Sequence, residues 1–185
     1  MKNKVIIGLL IVGLVLFIWM QMVYLPAQEK LQEEEELRQL DPETHNFQKV
    51  LQYENLYMGN AGNNMNLVNH LPLSDVPRTF QQNPDEFTLT VNYERSVGEV
   101  GKERVEKAIL YNATAIFALV ENMDIVEFEF VDQTFTVTRE RVNSWFGEDV
   151  DSFKNEKVFI EKVRQPIIAR ESLDEWFVEY TEGAR

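Results

Sequence analysis

The longest uninterrupted apolar stretch of the chain lies near its N-terminus. Residues 5–20 contain no charged side chain and no polar group other than the indole of Trp19, and residues 22–25 extend the stretch beyond the single polar residue Gln21. A helix of about 21 residues reaches about 31 Å, which matches the thickness of a bilayer core. The pattern therefore predicts that residues 1–27 form a membrane anchor, with residues 5–25 in contact with lipid.

Charged residues flank this stretch unevenly. Lys2 and Lys4 precede it, whereas the first charge after it is Glu29. The positive-inside rule then predicts a single-pass protein of the cell membrane, with its N-terminus in the cytoplasm and residues 28–185 outside. A cleaved secretory signal is the alternative, because residues 25–27 end in a small side chain. Their first residue is leucine, however, and the stretch exceeds the usual 7–15 apolar residues of a signal, so an uncleaved anchor is favoured.

Acidic helix formers follow the anchor. Residues 28–40 are mainly leucine, glutamate, glutamine and lysine, which favour a helix, but their leucines do not form a complete apolar stripe. This pattern predicts an acidic helical stalk or linker over residues 28–42, ended by Asp41 and Pro42. Cation binding by residues 33–36 is the alternative. Four consecutive glutamates point to different sides of a helix, so a solvated surface is favoured.

The remaining residues, 43–185, alternate between strand-like and helix-like patterns. Residues 87–93 alternate apolar and polar side chains, and residues 125–131 do so again before a short turn to residues 135–137, which predicts a strand and a hairpin. Residues 102–123 carry an apolar stripe at helical spacing. The chain is therefore predicted to form an α+β domain with a small antiparallel sheet, packed by the long helix and by shorter helices.

Capping residues locate the shorter helices. Asparagine, serine and threonine favour helix N-caps, whereas glycine and proline favour helix ends. The predicted helices, each with its cap and its end, are residues 66–71 (Asn63 or Asn64; Pro72), 139–146 (Thr138; Gly147) and 153–163 (Ser152; Pro166). An amphipathic tail then follows, in which docking onto the core is favoured over partner binding; its apolar residues are Leu173, Trp176, Phe177 and Tyr180.

Composition excludes several classes of function. The chain has 31 acidic and 18 basic residues, a formal charge of −13, no cysteine and two histidines. The absence of cysteine excludes disulfides, thiolate metal sites and cysteine nucleophiles, and the acidity argues against nucleic-acid binding. Because His45 and His70 stand 25 residues apart and no H-E-x-x-H occurs, a catalytic triad or histidine metal site is also disfavoured. We expect no cofactor, no bound metal and no catalytic residue.

The loop at residues 57–64 (YMGNAGNN) is the most distinctive motif of the domain. Glycine and asparagine accept positive φ, and their backbone N–H groups are able to bind an anion or carboxylate ahead of a helix. A tight turn that delivers Tyr57 to the core is the favoured alternative. If a ligand site exists, the candidate residues are Tyr57, Gly59, Asn60 and Asn63.

Three further groups have ordinary structural interpretations. The acidic residues after Gly147 suggest a hard-cation site, but their spacing lacks the pattern of a calcium loop, and a solvated capping turn is favoured; they are Glu148, Asp149, Asp151 and Glu156. Glu127 and Glu129 share one strand face, as a glycosidase pair would, but alternation with apolar residues is what a one-sided sheet requires. The glycosylation sequon at Asn112 lies inside the predicted long helix.

Several segments together resemble an uncharacterised bacterial family, domain of unknown function 4825, over residues 50–155. The segments that carry the resemblance are NLYMGN (55–60), TLTVNY (88–93), FALVEN (117–122), IVEFEF (125–130), Thr138-Arg139 and WFG (145–147). The resemblance implies an extracytoplasmic domain behind a signal or membrane helix in low-GC Gram-positive bacteria. Some relatives are joined to membrane metallopeptidase sensors of the BlaR type, which suggests sensing or regulation at the envelope. It implies no catalytic residues.

These observations favour a membrane-anchored, non-enzymatic binding, sensor or accessory module at the cell envelope, with a possible envelope protein as its partner. One alternative is an envelope hydrolase that uses acidic residues, which predicts two carboxylates converging in a cleft. The other is a structural spacer that holds a partner near the membrane and has no formed site around Tyr57 and Asn60.

Overall fold

The computed structural model describes residues 2–169, Leu173 and Trp176. The chain divides into two compact units, Met1–Arg38 and Gln39–Arg185.

The N-terminal unit is helical throughout its described residues. Helix α1 (Lys2–Trp19) passes into a π-helical turn (Met20–Tyr24) and then into α2 (Leu25–Gln39). All side chains of residues 6–24 are exposed. Within the described part of the chain, one helix, Ile6–Gln39, is long and apolar enough to cross a membrane, and its most apolar 18 residues have a mean hydropathy of 2.6. An apolar surface on every side of a helix is typical of contact with lipid.

The second unit contains a four-stranded sheet in the order β1-β2-β3-β4. Strands β1 (Arg78–Asn83) and β2 (Thr88–Tyr93) form one antiparallel pair, and β3 (Ile125–Glu129) and β4 (Thr134–Thr138) form another. The central pair, β2 and β3, is parallel. The α+β class is thus confirmed, whereas the expectation of a wholly antiparallel sheet is wrong.

A helical crossover explains the parallel pair. After β2 the chain enters a short helix, α4 (Val97–Val100), and then α5 (Lys102–Leu119) before it returns as β3. A helix of this length carries the chain back to the end of the sheet where β2 began, so β3 runs in the same direction as β2. The alternating pattern of each strand predicted which of its faces is buried. It did not predict whether the neighbouring strand runs parallel or antiparallel to it.

Helix α5 lies at the centre of the hydrophobic core. Its first turns are partly exposed, but every residue from Ala108 to Leu119 is buried. One face of the sheet joins the same core through Leu89, Val91 and Phe128, among others. The opposite sheet face is polar, as the alternation predicts.

The shorter helices differ from the sequence prediction in their boundaries. Helix α3 (Ala61–Asn69) begins earlier than expected, because the side chain of Asn60 accepts a hydrogen bond from the backbone of Asn63 and forms the cap. Helix α6 (Arg139–Phe146) has the predicted cap, Thr138, and ends at Gly147, whose φ is 65°.

The predicted helix 153–163 is confirmed over residues 156–163, but its predicted cap, Ser152, and its predicted end at Pro166 are wrong. A 3-10 turn (Val150–Phe153) capped by Asp149 is followed by α7 (Glu156–Phe159), whose cap is Asn155. A π-helical turn (Ile160–Arg164) then leads into α8 (Gln165–Ile168). Pro166 lies in the first turn of α8, where its missing N–H costs little, so it does not end the helical segment. Further 3-10 turns, Phe47–Lys49 and Leu51–Tyr53, precede the first strand.

Two more differences concern single positions. Phe87, predicted as the first strand residue, has φ 50° and is 41% exposed, so it belongs to the turn before β2. In the C-terminal tail, Leu173 and Trp176 are buried in the core, as predicted, whereas Phe177 and Tyr180 lie outside the described residues.

Candidate functional site

The chain from Asn55 to Asn60, which we call the Tyr57 loop, is fixed to the end of α5. The backbone N–H of Asn55 donates to the carbonyl of Leu119 at 2.7 Å, and the N–H of Glu121 donates to the carbonyl of Asn55 at 3.1 Å. These bonds form a short parallel bridge between Asn55 and Val120. The start of the loop is therefore held by the most buried helix of the domain.

Two amide side chains hold the middle of the loop at Met58. The N–H of Met58 donates to Oδ1 of Asn122, and Nδ2 of Asn64 donates to the carbonyl of Met58, both at 2.6 Å. The side chain of Met58 is 1% exposed. Met58 thus anchors the loop in the core through its side chain and through both backbone polar groups.

Leu56 and Tyr57 project into solvent between these two anchor points. Leu56 is 53% exposed and Tyr57 is 68% exposed. The side chain of Asn55 binds the backbone of Tyr57 on both sides, donating to its carbonyl at 2.5 Å and accepting from its N–H at 3.4 Å. The favoured sequence interpretation, in which a turn delivers Tyr57 to the core, is wrong, because Met58 occupies the core instead.

The remaining candidate residues support the fold of the loop. Asn60 caps α3, and Nδ2 of Asn63 donates to the carbonyl of Tyr53 at 2.6 Å. Gly59 is exposed, and its φ is not positive; the described glycines with positive φ are Gly101 and Gly147. The structure thus places Tyr57, Gly59 and Asn60 in the Tyr57 loop and Asn63 in the first turn of α3. Several N–H groups of this stretch already have partners within the protein, at Met58, Ala61, Asn63 and Asn64.

Charged side chains border the Tyr57 loop. The ammonium of Lys154 lies between two carboxylates, 3.1 Å from Glu54 and 2.7 Å from Glu121. Partial burial lowers the pKa of Lys154, but the hydrogen bonds to Glu121 and Glu54 outweigh this and raise the pKa above its ordinary value. Glu54 precedes Asn55 in the chain, and the backbone N–H of Glu121 donates to Asn55. The exposed side chains of Leu56 and Tyr57 therefore have a polar rim of two carboxylates and one ammonium, which carries one excess negative charge.

The acidic residues after Gly147 have structural partners. Glu148 pairs with Lys162, Asp151 lies 3.3 Å from Arg139, and Asp149 caps the following 3-10 turn. In the described part of the chain, no three His, Asp or Glu side chains are grouped to hold a metal ion. The interpretation as a capping turn is confirmed at Asp149.

Glu127, Glu129 and Asn112 also lie where their structural interpretations expect. Both glutamates are half-buried on the polar face of the sheet, and Glu127 accepts a hydrogen bond from Thr90 at 2.9 Å. Asn112 is fully buried, and its Nδ2 donates to the carbonyl of Pro72. A buried amide is inaccessible to glycosylation.

Sequence reasoning missed Arg139, which positions the Tyr57 loop indirectly. Its guanidinium donates to the carbonyls of Phe117, Val120 and Met123, each at 2.8 Å, and so holds the turn that leaves α5. Asn55 pairs with this same turn. The motif Thr138-Arg139 was visible in the sequence, but nothing local indicated a contact with a helix about 20 residues earlier.

Comparison with known proteins gives one match. Residues 50–139 match the model of a family described as Domain of unknown function (DUF4825). No curated protein matches the chain, and no solved structure matches it. The matched segment includes the Tyr57 loop, α3, all four strands and α5.

Proposed function

Because residues 50–139 match the model of a family of unknown function, DUF4825, and that description assigns no activity, we propose a function from the Tyr57 loop. The protein is a non-enzymatic binding module of the cell envelope. Its N-terminal helix anchors it in the membrane, and its Leu56 and Tyr57 side chains contact a protein partner.

The observation that carries this proposal is the exposure of Tyr57 on an immobilised backbone. Tyrosine is enriched among the residues that dominate binding energy at protein interfaces, because it offers a large contact area and few rotatable bonds. A loop that is already ordered loses little further conformational entropy on binding. Asn55 and Met58 fix the backbone on either side of the exposed pair, so the free protein already presents the binding conformation.

The rim of the loop indicates the chemistry of the partner. Glu54 and Glu121 share one ammonium, that of Lys154. A partner surface with an apolar pocket and a neutral or basic border fits this rim, whereas an acidic border is repelled. The formal charge of −13 adds to that selectivity at long range.

In-cell photo-crosslinking tests the proposal. A photoreactive phenylalanine replaces Tyr57 in the full-length chain, and Val131 is replaced in a matched control because it is also exposed, at 73%, on the turn after β3. We expect a discrete adduct from position 57 and none from position 131. Leu56→Ser and Tyr57→Ser should each weaken capture of the same partner at least about tenfold. Both side chains are exposed, so thermal stability should be unchanged.

Equal adducts from both positions, or none from position 57, would contradict the binding role. The second result would instead favour a structural spacer.

We propose further that the domain lies outside the cell membrane, supported by the two lysines before the apolar stretch and the acidic residues after it. Since the chain has no cysteine, a single engineered cysteine reports its own location. Thr79→Cys, on the exposed edge of the sheet, should react with a membrane-impermeant maleimide in intact cells. Asn3→Cys, which keeps both lysines, should react only after permeabilisation. The reverse pattern would overturn the orientation.

A further inference from the structure

A buried histidine holds the segment that precedes the Tyr57 loop. We call residues 40–53 the lead-in segment. His45, within it, is fully buried. Its Nε2 lies 2.8 Å from the carbonyl oxygen of His70 at the end of α3, and its Nδ1 lies 2.7 Å from the hydroxyl oxygen of Tyr111 on α5. One imidazole ring therefore joins the lead-in segment to two helices.

The two partners of His45 define its protonation state. A carbonyl oxygen only accepts hydrogen bonds, so Nε2 carries a hydrogen, and in the neutral ring Nδ1 accepts from the Tyr111 hydroxyl. Burial raises the pKa of Tyr111, which keeps that hydroxyl protonated. The neutral imidazole is thus fully paired. A proton on Nδ1 would remove the acceptor of the Tyr111 hydroxyl and leave a buried charge.

The charged groups around His45 oppose its protonation. Burial lowers the pKa of His45 most strongly; the hydrogen bond to His70 raises it, and the charges of Arg164, Lys49 and His70 lower it further, to about 4. Of the two carboxylates in the lead-in segment, Glu43 is bound by Lys107 at 2.6 Å, and Asp41 accepts a hydrogen bond from the N–H of Glu43 at 2.8 Å. Five titratable groups act on the ring or on its partner Tyr111. They are Lys49 of the lead-in segment, His70 at the end of α3, Tyr111 of α5, Arg164 of the second π-helical turn and Glu156 of α7, which acts on Tyr111.

Other contacts of the lead-in segment are side-chain packing and isolated hydrogen bonds. Phe47 stacks on Phe159 with ring centroids 3.7 Å apart, and Val50 is buried. The N–H of Leu73 donates to the carbonyl of Leu40 at 3.4 Å. The segment forms two 3-10 turns, so side chains rather than a strand ladder hold it on the domain. A segment of this kind opens more easily than the sheet.

We propose that the lead-in segment is an acid-sensitive latch, in which protonation of His45 releases the segment from α3 and α5 while the sheet stays folded. The released histidine has its ordinary proton affinity and the docked histidine a much lower one. Docking is therefore fully stabilised above about pH 6.5 and weakens as the pH falls from 6.5 towards 4.

Hydrogen exchange measured by mass spectrometry tests the latch on the full-length chain in lipid nanodiscs. Exchange is compared at pH 7 and pH 5 after correction for the intrinsic rate. From the two proton affinities, the opening equilibrium of residues 40–53 should rise about 20-fold at pH 5. At both pH values β2 and β3 should stay more protected than residues 40–53, because the segment opens without the sheet. Equal opening equilibria in the sheet and in the lead-in segment at pH 5 would show global unfolding and overturn the proposal.

Two variants separate His45 from the other titrating groups. His45→Gln replaces the ring with an amide that does not titrate, so the dependence on pH should disappear. His70→Gln alters the only other histidine of the sequence, and the 20-fold dependence should remain. A dependence that survives His45→Gln would contradict the latch. If that variant does not fold, NMR titration of the unaltered chain decides: a His45 midpoint near pH 6.5 in the docked state would overturn the proposal.

Discussion

Helices α1 and α5 have the same length, 18 residues, but opposite surroundings. In α1 the apolar side chains from Ile6 to Trp19 are exposed, whereas α5 is buried from Ala108 to Leu119. The sequence of α5 also begins with a charged turn, in which Lys107 pairs with Glu43 and Arg104 pairs with Asp75. The apolar part of α1 contains no such turn.

The difference shows that apolar content alone does not determine whether a helix lies in a protein core or in a membrane. A helix covered by its own domain needs one polar end or side where the cover stops, and α5 has that end. A helix that is apolar on every side and has no cover from the protein needs an apolar solvent. If this comparison is correct, equivalent substitutions in the two helices must have different effects.

The largest difference is expected between two phenylalanines. Phe117→Ala in α5 removes a fully buried ring and should lower the free energy of unfolding of the domain by about 3–5 kcal/mol. Phe17→Ala removes a ring that is exposed in α1 and should change it by less than about 0.5 kcal/mol. Denaturant titration of the full-length chain in detergent measures both values. Similar losses in the two variants would contradict the comparison.

A charge in α1 tests the lipid environment directly. Leu14 lies in the middle of the apolar stretch, and Leu14→Arg should cost about 2.5–3.5 kcal/mol of membrane insertion. The variant should therefore move from the carbonate-resistant membrane fraction to the extractable fraction, whereas Leu14→Val should remain in the membrane. If both variants stay in the membrane, a charge at position 14 does not oppose membrane insertion, and the proposed contact of α1 with lipid at this position is contradicted.

The sequence predicted features that depend on local periodicity. The buried faces of β2 and β3 followed from strict alternation, and the cap of α6 followed from Thr138. Strand β1 was missed because it lies at the sheet edge and only Phe80 among its residues is a hydrophobic side chain packed against the core. The parallel pairing of β2 and β3 was also missed, because it depends on the path of α5 rather than on either strand.

The candidate site required long-range contacts that no local pattern contains. Three of the four proposed residues, Tyr57, Gly59 and Asn60, lie in one loop, and Asn63 lies in the first turn of α3. The direction of Tyr57, however, is set by Asn122, which is 64 residues from Met58. The exposed neighbour Leu56 carried no signal for the same reason. The histidine pair was visible only as two isolated residues, and burial against Tyr111 gave His45 its character.

Arg139 tests how α5 ends, a feature that α1 lacks because its helix continues into α2. Arg139→Met keeps the aliphatic stem but removes the donors to three carbonyl groups. We expect a loss of about 2–3 kcal/mol in the free energy of unfolding. Arg95→Met is the control, because the Arg95 side chain forms an exposed ion pair with Glu99, and its loss should cost less than about 1 kcal/mol. Equal effects would show that Arg139 does not hold the end of α5.

The smallest effect is expected at Phe87, where the chain after α5 meets the first hairpin. The carbonyl of Phe87 accepts hydrogen bonds from the N–H groups of Asp124 and Ile125, which fixes its backbone at a φ of 50°. A side chain at this φ is strained, so the free energy of unfolding of Phe87→Gly should exceed that of Phe87→Ala by about 0.5–1 kcal/mol. Phe87→Ala loses the ring but keeps the strain, so the difference between the two variants isolates the backbone contribution. If the glycine variant is no more stable than the alanine variant, the positive φ of residue 87 costs no free energy. The two hydrogen bonds to the carbonyl of Phe87 would then not hold the turn in a strained conformation.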